Sequence, residues 1–150
     1  MFDSRLIEKA LNAYREIGTS FNVIIAKSGL AHMERELGNY AIALDLYRET
    51  IVAFRDVEQM GAVAHQLECF GFIALAQNHP ARALQLFAAA NALREKGGTP
   101  MTPDEQVYYN DQLNVLRHKM DSKVYESIWS IGHAMSLDQA IQTAVEANYG

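Results

Sequence analysis

At 150 residues and a net charge of −5, the chain has single-domain size and no excess of Lys and Arg for general nucleic-acid affinity. Hydrophobic residues make up 49% and charged residues 21%, yet no apolar run reaches the roughly 20 residues that span a bilayer. The single cysteine, Cys69, excludes an internal disulfide, and the charged start MFDSRLIEKA lacks the apolar segment of a secretory signal, so a cytoplasmic location is expected.

Asp3 or Ser4 can cap a first helix running to about Glu16, with Leu6, Ile7, Ala10, Leu11 and Tyr14 on one face. Gly18-Thr19-Ser20 ends it. Helices are then predicted at about Phe21–Glu36, Tyr40–Asp56, Gly61–Gln77 and Pro80–Glu95. Pro80 suits a first helical position, where no intrahelical N–H bond is lost. Gly97-Gly98-Thr99-Pro100 is the clearest break in the chain. Thr102 then caps a helix to about Met120, with Pro103 at its first position and Glu105 placed to complete a capping box. A shorter helix carries Val124, Tyr125, Ile128, Trp129 and Ile131. Ser136-Leu137-Asp138-Gln139 is a second capping box, opening a last helix through Ile141 and Val145.

The chain repeats itself. Ala43 is matched by Ala83 and Tyr47 by Phe87, each 40 positions on, and Leu30-Ala31 corresponds to Phe70-Gly71. Gly38-Asn39-Tyr40 falls where Asn78-His79-Pro80 falls, at the turn between two helices. Small residues at Ala31, Gly71, Ala43 and Ala83 let helix backbones approach, and the aromatics fill the groove beside them. A period of this length signals stacked hairpins that cannot bury their apolar faces alone. The expected fold is all-α, a solenoid of antiparallel hairpins forming one domain over 1–150. Residues 1–18 form a partial repeat, 21–58 and 61–97 full repeats, and 102–150 atypical capping helices.

A large residue followed by a small one, a Gly-Asn-Tyr turn, then Ala and an aromatic four positions apart: this resembles the tetratricopeptide repeat. Lys27 and Leu67 stand where that family usually has tryptophan, and its period is about 34. The longer period is similar to that of MalT-like and LuxR-type bacterial regulators. Leu86-Phe87, Ala90, Leu93-Arg94-Glu95, Pro100, Pro103, Tyr109, Trp129, Gly132 and Ser136-Leu137 resemble the C-terminal end of such regulators, which join an ATPase module to repeats. The resemblance implies a protein- or peptide-binding arm in signalling or transcriptional control. No Gly-rich phosphate loop and no basic recognition helix occur in these residues.

Repeat register places Ile25, Ser28, His32 and Arg35 on the concave groove of one repeat, and His65, Glu68, Phe72 and Leu75 on the next. Ser28, His32, Glu68 and Phe72 occupy the positions where some relatives of the repeat family hold a carboxylate clamp of Lys and Asn. The clamp is therefore missing, and an apolar peptide or helix is the expected occupant. The five histidines lack metal-ligand spacing, so no metal, cofactor or catalytic residue is expected and the chain is not read as an enzyme. Two alternatives stand beside this. His65 and Cys69, one helical turn apart, could serve a small hydrolase or bind a metal. The open face of the first helix (Leu6, Ala10, Leu11, Tyr14) could instead make a homodimeric scaffold.

Overall fold

The computed structural model describes residues 3–17 and 20–146, the side chains of residues 14–17 excepted. Among them it has eight α-helices and no strand: α1 (Ser4–Ile17), α2 (Ser20–Glu36), α3 (Tyr40–Asp56), α4 (Met60–Ala76), α5 (Pro80–Gly97), α6 (Pro103–Lys119), α7 (Ser122–His133) and α8 (Leu137–Val145). The fold is all-α, as the periodicity predicts. The chain divides into two compact units, the first ending at Glu58 and the second starting at Gln59. In the first, α1 packs on α2, and α2 pairs with α3 in a hairpin. In the second, α4 and α5 form the corresponding hairpin. There α7 lies along α5 far more extensively than α6 does, and α8 reaches both α4 and α5.

Helix ends explain the spacing. Backbone φ is positive at Gly38 (81°), Glu58 (59°), Asn78 (64°) and Gly98 (64°). These left-handed positions recur every 20 residues and close α2, α3, α4 and α5 in turn. Glycine adopts this conformation freely and asparagine tolerates it, so three of the four turns are legible as punctuation. Glu58 is the exception, because its Cβ makes the left-handed region costly by about 1–2 kcal/mol. Glu58→Gly should therefore raise the unfolding free energy by about 1 kcal/mol. A denaturant midpoint that stays put or falls would show that the turn carries no strain.

Side-chain caps fix the starts of α1, α6, α7 and α8. The Asp3 carboxylate accepts from the backbone N–H of Arg5 (2.9 Å), and Asp121 accepts from Lys123 (3.0 Å). Ser136 and Gln139 form the full predicted box, at 3.1 and 2.9 Å. Thr102 accepts from the Glu105 N–H (3.3 Å), but the Glu105 carboxylate lies 3.8 Å from Arg94, so only half of the expected box forms.

The cores match in detail. Ala31, Ala43, Tyr47, Ala83 and Phe87 are all completely buried, the outcome the 40-residue register requires. His32 and Tyr47 pack with ring centroids 5.4 Å apart at 56°. Forty positions on, Phe72 and Phe87 pack at 5.3 Å and 55°. Two different chemistries occupy one geometry. At Gly71 a Cβ would lie 2.4 Å from the Phe87 ring, so the smaller residue makes room for the second aromatic.

The tail is built on a second small residue. A Cβ at Gly132 would fall 2.3 Å from the Gln85 carbonyl oxygen and 2.9 Å from the Ala88 side chain, so α7 touches the backbone of α5. That oxygen cannot swing aside as a side chain could. Gly132→Ala should cost about 1–3 kcal/mol through forced separation of the two helices. Unchanged thermal stability would mean that α7 shifts freely on α5. The expected apolar stripe of the tail is only partly used: Ile141 is buried, whereas Val124 and Ile131 are about half exposed. Close approach at Gly132 replaces part of the side-chain contact that the periodicity implied.

Candidate functional site

In the first unit, the predicted groove positions of α2 form a polar network. The Ser28 hydroxyl lies 3.3 Å from His32 Nε2, and His32 Nδ1 lies 2.6 Å from the Tyr47 hydroxyl. Arg35 Nε donates to the same hydroxyl at 3.2 Å. Ser28 is buried, His32 and Arg35 are half-buried, and Ile25 is exposed. Lys27, at the position where the repeat family has tryptophan, donates to Glu49 at 2.7 Å.

In the second unit, helical spacing brings His65, Glu68, Cys69, Phe72 and Leu75 along one side of α4. Glu68 is turned inward: 1% of it is exposed, and Arg94 on α5 grips both carboxylate oxygens at 2.7 and 2.9 Å. Like Ser28, it supports the face without offering its side chain to a partner. Cys69 Sγ lies 3.7 Å from His65 Nε2, and His65 Nδ1 lies 3.6 Å from Glu68. A negative charge on Cys69 would favour the imidazolium strongly, and this raises the His65 pKa to about 10 against the opposing effect of burial. Hydrogen bonds to Cys69 and Glu68 add to the same direction. The sequence pairs His65 with Cys69 correctly in space, but Cys69 is completely buried.

Phe72 and Leu75 are half-buried, and Phe72 is flanked by an aromatic the sequence reading did not assign. Tyr108 on α6 meets Phe72 edge-on with centroids 4.7 Å apart, while remaining 46% exposed. Tyr109, the next residue, points the other way and packs against Phe87 at 5.5 Å. Burial pushes the Tyr109 phenol above its usual range, with the Glu68 charge adding to the shift. Helix α6 thus has two apolar sides. Tyr109, Leu113 and Leu116 are buried, and Val107, Tyr108 and Val115 are exposed.

No family model matches this chain, and no curated protein or solved structure does either. The geometry alone carries the functional reading. On α1, Leu6 is 63% exposed and Ala10 is exposed, but Leu11 is buried within the fold. The Tyr14 side chain lies outside the described residues. A homotypic contact through this helix would rest on Leu6 and Ala10, because Leu11 already belongs to the core.

Proposed function

We propose that the chain is a protein- or peptide-binding repeat module, the interaction arm of a bacterial signalling or transcriptional regulator of the tetratricopeptide type. The observation that supports this most is the half-open aromatic face of the second unit. Phe72 is held between Phe87 behind and Tyr108 beside it, and Tyr108 and Val107 are left in solvent. An exposed aromatic braced by a half-buried one costs little conformational entropy on binding, which is how interface anchors work. The Glu68–Arg94 pair below fixes α4 against α5, so the face is rigid before a partner arrives. Apolar side chains of an extended or helical peptide fit such a surface.

The test is selection of binding peptides from a displayed random library against the folded chain. Each recovered peptide is then titrated against Tyr108→Asp and, as a control, Val124→Asp. Binding should weaken by about tenfold or more at Tyr108 and stay unchanged at Val124. Peptides that bind both variants equally, or a library that yields no saturable binder, would refute this assignment.

A further inference from the structure

A second concavity lies away from this face, between α6 and α7. It has a volume of about 420 Å³ and is lined by Leu113, Arg117, Tyr125, Glu126, Trp129 and Ser130. That size suits a small molecule. Tyr125 and Trp129, one turn apart on α7, form a wall of two parallel rings, 3° from coplanar orientation and 6.5 Å between centroids. The Arg117 guanidinium stands 5.3 Å from the centre of the Tyr125 ring. Its one hydrogen-bond acceptor among the described residues is the Asn114 side-chain oxygen, at 3.2 Å, which leaves most of its donors open. Glu126 lines the same cavity and forms no ion pair among the described residues.

These charges constrain the ligand. A simple anion would meet Glu126, and a simple cation would meet Arg117. A wholly apolar molecule would use neither charge. A zwitterion with an apolar body satisfies all three elements at once. Its carboxylate would pair with the guanidinium fork, its ammonium with Glu126, and its side chain would lie on the aromatic wall. We propose that the α6–α7 cavity binds a free α-amino acid with an apolar or aromatic side chain. The site shares no residue with the peptide-binding face and would make the chain responsive to a small metabolite as well as to a partner.

Trp129 is the only tryptophan in the chain and lines the cavity, so its emission reports occupancy directly. The experiment titrates the full chain with leucine and phenylalanine while tryptophan emission is followed under selective excitation. A saturable change at millimolar concentration or below is expected. Phenylacetate, phenethylamine and N-acetyl-phenylalaninamide each lack one or both charges and should bind about tenfold more weakly or not at all. Arg117→Gln and Glu126→Gln should each weaken binding by a similar factor. Both positions are exposed, so the fold should persist by circular dichroism. No saturable response to either amino acid would overturn the proposal. An equal response to the uncharged amide, or affinity unchanged in both variants, would do the same.

Discussion

Phe87→Ala should lower the unfolding free energy by about 3–5 kcal/mol, the range for emptying a buried aromatic site. Phe87 is completely buried and touches three other features of the second unit: the Phe72 ring, the Tyr109 ring and the bare backbone of Gly71. The cavity left behind could not collapse easily, because Gly71 has no side chain to move into it. Chemical denaturation followed by circular dichroism measures the loss. Phe87→Leu, which keeps much of the volume, should cost distinctly less. If the alanine variant kept the wild-type midpoint, Phe87 would not hold α4, α5 and α6 together.

Arg94→Met should be comparably damaging, by about 3–5 kcal/mol, because it strips the buried Glu68 carboxylate of its bidentate partner and leaves only the longer 3.6 Å contact with His65. The Glu68 side chain is 2% exposed and that of Arg94 is 11% exposed, so solvent cannot replace the lost bonds. The double variant Glu68→Leu with Arg94→Met removes both charges and should recover most of the stability. A double-mutant cycle isolates this coupling. Additive losses in the cycle would show that the two side chains act separately, despite the bidentate geometry. Arg94 also donates to the Thr99 carbonyl at 2.9 Å, so some loss should persist in the double variant.

The architecture was legible because the repeat writes its sterics into composition. A small residue opposite a large ring must alternate in register, and Gly38, Asn78 and Gly98 mark turns whose backbone few other residues adopt. What escaped the reading were features decided by partners distant in sequence. Nothing local distinguishes Glu68 from a groove acid; Arg94, 26 positions later, turns it inward. Tyr108 and Tyr109 are adjacent and alike, and only the docking of α6 sends one outward and the other into the core. Glu58 reads as an ordinary polar residue, although its backbone matches that of Gly38 and Asn78 in sign. Val124 and Ile131 follow helical periodicity yet remain exposed, because α7 meets α5 through Gly132 instead.

That meeting point has a consequence for how the protein is made. Gln85 and Gly132 are far apart in the chain, and α7 covers the side of α5 that Ala88 presents. Synthesis proceeds from the N-terminus, so α2 and α3 can pair as soon as both have emerged from the ribosome. Helices α4 and α5 can pair next, but α5 then waits with an alanine-rich apolar flank open to water until translation has passed Gly132. During that interval the nascent chain offers other hydrophobic surfaces the site reserved for its own later helix. The second unit is thus most vulnerable to mispairing between completion of α5 and arrival of α7, whatever the stability of the finished fold.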